Sequence, residues 1–292
     1  MTSPLRTLLL VLAVGLVSGC GLRLAYQQLD RLVPWYVSDY VTLDDQQRDA
    51  LDSLLADRLA WHCETQIPAY RDWLDQVRGT LDRTHVGAAE LVPLGNLAEA
   101  LWRDLMLALT PDLGRMLAQL SDRQVDEVLR ALDKKNRALR REHLDISAEK
   151  RLAKRTERME KQLRRWTGRL SAEQHARLDA WAAALRPTTR EWIAQREAWR
   201  LRFGEALALR ADPPALEARL SRLLANPDAN WPPSYRADLE FNRKLTLQLV
   251  ADVHKLAPTR QRARIADEIA AMRAQFDALA CGAAEAALAA AR

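Results

Sequence analysis

The residues best suited to chemistry in this sequence are its cations, its three cysteines and its five histidines. Residues 134–169 carry 14 Lys and Arg against 5 acids. Lys150, Arg151, Lys154, Arg155, Arg158, Lys161, Arg164 and Arg165 form the densest part of that stretch, and they are the expected face for an anionic partner. The plainer alternative is a solvated helix face with internal pairs such as Glu157 with Lys161. The histidines, at 62, 85, 143, 175 and 254, are scattered, with no H-E-x-x-H and no C-x-x-C, so no metal and no cofactor are expected. No G-x-S-x-G, phosphate-cradling Gly loop or dinucleotide fingerprint occurs. His62, beside Cys63 and Glu64, is the nearest approach to a catalytic grouping, and a buried or capping histidine explains it as well. The sequence therefore predicts no catalytic residues and no enzymatic activity.

Cys20 closes a different pattern. Arg6 precedes an apolar stretch from Leu8 to Val17, which ends Val17-Ser18-Gly19-Cys20. The stretch is too short for a transmembrane helix and has the flanks of a secretory signal. Its end resembles the lipobox of bacterial lipoproteins. That resemblance implies a signal peptide over 1–19, cleavage before Cys20, and palmitate-type acylation of Cys20, the new first residue. Several acyl chains together give a stable anchor, where one alone holds marginally. Gly21 follows in place of the Asp of an inner-membrane retention signal, which points to the outer membrane. In that oxidising compartment Cys63 and Cys281 are expected to pair, closing a loop of over 200 residues, or else to remain as two thiols.

These groups must be positioned by helices. The chain is rich in Ala, Leu and Arg, and no stretch alternates apolar with polar residues long enough for a strand. Proline and capping residues divide it into helices at about 22–32, 44–63, 68–83, 87–109, 111–119, 121–145, 148–169, 171–186, 188–210, 213–225, 233–256 and 259–280. The fold class is all-α: a bundle of about ten to twelve helices, as a single domain over 20–292. Val125, Leu132, Leu139 and Ile146, then Leu152, Met159 and Trp166, keep a seven-residue rhythm, so the basic segment 121–169 is expected to be a long helix or projecting hairpin. Trp181, Leu185, Trp192 and Trp199 suggest a core face, with a client groove as the lesser reading. Trp231-Pro232-Pro233-Ser234-Tyr235 reads as a rigid turn into a helix.

Three helix starts share one pattern: Leu43-Asp44-Asp45-Gln46-Gln47, Leu120-Ser121-Asp122-Arg123-Gln124 and Leu170-Ser171-Ala172-Glu173-Gln174. Each is a capping box, with Asp44, Ser121 and Ser171 at N-cap and Gln47, Gln124 and Gln174 at N3. The pattern is also similar to the L-T-x-x-Q signature of Spy-like periplasmic chaperones. A broader resemblance rests on Leu24-Ala25-Tyr26, Leu29-Asp30, Val33-Pro34-Trp35-Tyr36, Asp39-Tyr40-Val41, Leu59-Ala60-Trp61-His62 and Arg165-Trp166-Thr167-Gly168-Arg169-Leu170. Together these resemble a family of uncharacterised helical lipoproteins of Gram-negative bacteria. That resemblance implies an envelope location and a helical fold, and no activity.

The expectation is thus an outer-membrane-anchored, periplasm-facing protein that binds another protein or an anionic envelope component, in a scaffold or chaperone-like role. Nucleic acid is not expected as a partner, because acylation places the chain across the membrane from it. The competing expectation is an envelope hydrolase whose site is too diffuse to read in sequence.

Overall fold

The computed structural model describes residues 25–279, which form eleven α-helices and one π turn, with no strand among the described residues. The helices are α1 (Leu29–Ser38), α2 (Asp45–Trp61), α3 (Ile67–Leu81), α4 (Ala88–Ala118), α5 (Asp122–His143), α6 (Ala148–Thr167), α7 (Ala172–Ala184), α8 (Thr189–Leu207), α9 (Pro213–Ala225), α10 (Pro233–Lys255) and α11 (Thr259–Asp277). The protein is an all-α multi-helix bundle. No described helix is long and apolar enough to cross a membrane. The expected signal peptide over 1–19, Cys20 and Cys281 lie outside the described residues.

The boundaries depart from the expected ones where proline was read as a stop. α4 runs through Pro93 and Pro111, joining two expected helices. A proline inside a helix forfeits one backbone bond and costs about 3 kcal/mol in isolation. Here Leu105, Met106, Thr110 and Asp112 are buried along the same helix, and α9 lies along it, so packing outweighs the local cost. α1 likewise contains Pro34 and extends to Ser38, carrying Val37 onto the core. Between α2 and α3 the chain does not break. A π turn, His62–Gln66, carries it into Pro68, which has no N–H to return to Glu64.

α4 is the central helix, with α2, α3, α9 and α10 against it; α7 packs on α10, α11 on α3, and α6 on both α7 and α11. α5 lies on α8, so α5 and α6 do not form the projecting hairpin the heptad rhythm suggests. Val125, Val128, Leu129 and Leu132 of α5 pack with Phe203, Ala206 and Leu207 of α8. Met159 and Leu163 of α6 pack with Leu178, Trp181 and Val253, and Trp166 with Leu74 and Ile265. Each half of the apolar seam is used, but against a different neighbour. Trp181 belongs to α7 and Trp192 to α8, both buried, with Pro187 separating the helices. Tyr235, the third residue of α10 beyond the Pro232 cap, is 1% exposed against the Trp231 ring.

The capping boxes do more than start helices. All three form as read, and their glutamines then meet in pairs. Gln47 Nε2 donates to Gln124 Oε1 (3.2 Å) and to the Gln119 carbonyl (3.1 Å), while Gln124 Nε2 donates to Gln47 Oε1 (2.6 Å) and the Thr42 carbonyl (2.9 Å). Gln174 pairs the same way with Gln261, at N3 of α11: Gln174 Nε2 to Gln261 Oε1 is 2.7 Å and Gln261 Nε2 to Gln174 Oε1 is 3.2 Å. Their remaining N–H groups go to the Val253 and Arg169 carbonyls. All four glutamines are buried, as their full set of partners permits.

Candidate functional site: a basic groove

The turn between α5 and α6 faces the turn between α7 and α8 across a half-open groove. Ser147 starts α6 by accepting from the Lys150 N–H. One turn later Arg151 reaches back to the Leu144 carbonyl (3.3 Å) and to that of Ile146, so its guanidinium closes the end of α5. From there the i, i+3, i+4, i+7 spacing of a helix sets Arg151, Lys154, Arg155 and Arg158 on one side. These four, with His143, Ile146 and Thr189, surround a recess that admits no more than about one water.

The recess opens into a groove of about 450 Å³ that shares Arg151, Arg155 and Thr189 with it. Leu144, Leu152, Ala182, Ala183, Leu185 and Pro187 give the groove an apolar side, and Arg190 and Glu191 stand at the start of α8. That helix begins without a side-chain cap at Thr188, so its first N–H groups add to the positive field there. Among the described residues, none of Arg151, Lys154, Arg155 and Arg158 forms an ion pair. Desolvation, then the Arg158 and Arg151 charges, pushes the Arg155 guanidinium below its usual range, though still charged at neutral pH. His143, its ring edge-on to Trp192 at 5.4 Å, is also pushed down, by desolvation first and by Arg158 and Lys154, against Glu142.

The structure thus divides the eight expected cations. Lys150 and Lys161 are exposed away from the groove lining. Arg164 pairs with Glu160 (3.4 Å), and Arg165 lies half-buried over the Trp166 ring beside α11. Arg190 and the apolar wall of α7 were not readable as site residues, because they lie beyond the basic run in the chain and carry no motif, and His143, inside the run, is a lone histidine with no ligand spacing. Gln261 escaped for a smaller reason: Pro258 replaces the Ser or Asp that marks the other three boxes.

His62 makes a second constellation at the π turn. Tyr26 donates its hydroxyl to the Leu59 carbonyl (3.1 Å), so the same oxygen accepts from His62 Nδ1 (3.1 Å), and the proton belongs on that nitrogen. Nε2 is left to accept from Tyr70 (3.3 Å). Burial pushes His62 down to about 4 and both tyrosines up to about 12, so all three are neutral at pH 7. A neutral histidine held by two hydroxyls, with no carboxylate on either nitrogen, locks the start of the chain to α2 and α3. Cys63 beside it is buried and disulfide-bonded. No group of three or more His, Cys, Asp or Glu among the described residues could hold a metal. A buried carboxylate does occur elsewhere: Asp112 of α4, 2% exposed, is ion-paired with Arg58 of α2 and with Arg115.

Fold and site together define a helical protein with an arginine-lined amphipathic groove. The chain belongs to a family of unknown function (DUF6279), whose model matches residues 39–236. That span includes both walls of the groove and stops short of Tyr26 and Gln261. No curated protein and no solved structure matches the chain.

Proposed function

We propose that this protein is a lipoprotein of the bacterial envelope, acylated at Cys20 and held at the outer membrane facing the periplasm, where it binds an anionic envelope component without chemistry of its own. The observation that carries the binding reading is the convergence of Arg151, Lys154, Arg155 and Arg158 on a recess at the end of a half-open groove, which gathers positive charge at a concave site with an apolar wall. The address rests on the Leu8–Cys20 pattern. We also take Cys281 as the partner of Cys63. α11 lies on α3 through Arg71–Asp277 and Arg273–Asp75, both 2.8 Å, and Phe276 meets Tyr70, so the helix that leads to Cys281 ends near the π turn.

The test places a photo-crosslinking residue at Ala183, in the groove, in cells. Capture of an anionic envelope component that is lost in Arg155→Glu/Arg158→Glu is the expected result; capture unchanged by the two substitutions refutes the groove as the binding site. Intact mass of the protein extracted from membranes checks the address, with an unacylated mass overturning it.

A further inference from the structure

We infer that the groove takes a single-chain anionic amphiphile, with its head against Arg155, Arg158 and Lys154 and its alkyl chain along Leu152, Leu185 and Pro187. This deepens the proposed function and rests on it. The argument is the order of the lining. At one end Arg151, Lys154, Arg155, Arg158 and His143 converge on a recess too small for anything beyond a water, so an anionic head would stand at its mouth, among long side chains that can close on it. The groove leads away from that mouth past Leu144, Leu152, Ala182, Ala183, Leu185 and Pro187. Leu152 is 40% exposed, an apolar side chain standing in solvent beside a run of cations.

A ligand that was only an anion would leave this apolar wall wet, and one that was only apolar would have to desolvate the arginines without pairing them. Only a molecule with both parts satisfies both ends. The groove, at about 450 Å³, is of the size that small-molecule pockets usually show, about 300–1,000 Å³. A phosphate monoester and a carboxylate share the required head chemistry, and Arg can pair with either in a forked geometry.

The experiment is calorimetric titration of the full chain secreted with Cys20→Ser, using dodecyl phosphate and laurate below their micelle concentrations, inorganic phosphate, and uncharged dodecyl maltoside. One of the anionic amphiphiles is expected to bind at least about 100-fold tighter than inorganic phosphate, the effect of burying roughly four methylenes. Which of the two binds more tightly assigns the head. Arg155→Ala/Arg158→Ala and, separately, Leu152→Asp are each expected to weaken binding about 10-fold or more while leaving the urea midpoint of unfolding unchanged. Binding of both anionic amphiphiles no tighter than that of inorganic phosphate overturns the amphiphile and leaves an anion-binding protein, as proposed above. Maltoside binding as tight as the anionic amphiphiles overturns the assignment of the head, and no binding of any probe overturns both readings.

Discussion

Acidification should destabilise this fold through one identifiable residue. His62 is pushed down to about 4 by burial, against about 6.5 for an exposed histidine. The unfolded chain therefore takes up a proton near pH 6.5, and the folded chain only near 4. In the window between, the unfolded state binds more protons, so stability falls as pH falls. The full gap corresponds to about 3 kcal/mol, of which about 2.5 kcal/mol is lost by pH 4.5. The hydroxyls of Tyr26 and Tyr70 cannot offset this, since neither carries charge to balance an imidazolium. The assay is urea unfolding at steps from pH 7 to 4.5, comparing the natural chain with His62→Gln, which keeps a donor and an acceptor in place but does not titrate. With a urea slope of about 2.5 kcal/mol per molar, the natural protein should lose about 1 M more in midpoint than the variant. Parallel pH curves for the two proteins would refute the reasoning, and would mean that the imidazole is hydrated or can charge where it lies.

The glutamine pairs should be worth far more than surface polar contacts. Gln174, fully buried, holds the Ser171 N–H, the Val253 carbonyl and Gln261. Gln174→Leu leaves these groups unpaired and should cost about 3 to 5 kcal/mol in unfolding free energy. Gln261→Leu added to it should cost much less than when made alone; additive losses would show that the pair does not act as a unit. Two glycines should respond in opposite directions. Gly168 has φ +74° at the end of α6, where a side chain is strained, so Gly168→Ala should destabilise by about 1–3 kcal/mol. Gly79 sits inside α3 with nothing within 4 Å of an added Cβ, and Gly79→Ala should stabilise by about 0.5–1 kcal/mol in the same denaturation measurement.

Helix type and helix starts were legible in the sequence because their causes are local. An N-cap oxygen and an N3 glutamine lie three residues apart, and the structure forms all three boxes that were read. The ends were less legible because proline reports a local cost and not the packing that can outweigh it, as Pro34 and Pro111 show. The seven-residue rhythm of 121–169 correctly marked apolar faces, yet a period names a face and not the neighbour it meets, and α5 and α6 each found a different one. The site was legible only as a run of cations. Half of that run, Arg151, Lys154, Arg155 and Arg158, reaches the groove or the recess at its end, while Ala182, Ala183, Leu185 and Pro187 of the apolar wall come from the end of α7 and the turn after it, whose residues carry no signal of their own.

The bond between Tyr26 and the Leu59 carbonyl would set the reach of an anchor at Cys20. Tyr26 stands six residues after Cys20, and six fully extended residues span at most about 20 Å. For a chain acylated at Cys20, the pinned tyrosine turns the lipid anchor into a short leash: the body can tilt and turn above the bilayer, but it cannot leave it to search. The ligands it samples are then those that reach, or already reside in, the membrane that holds it.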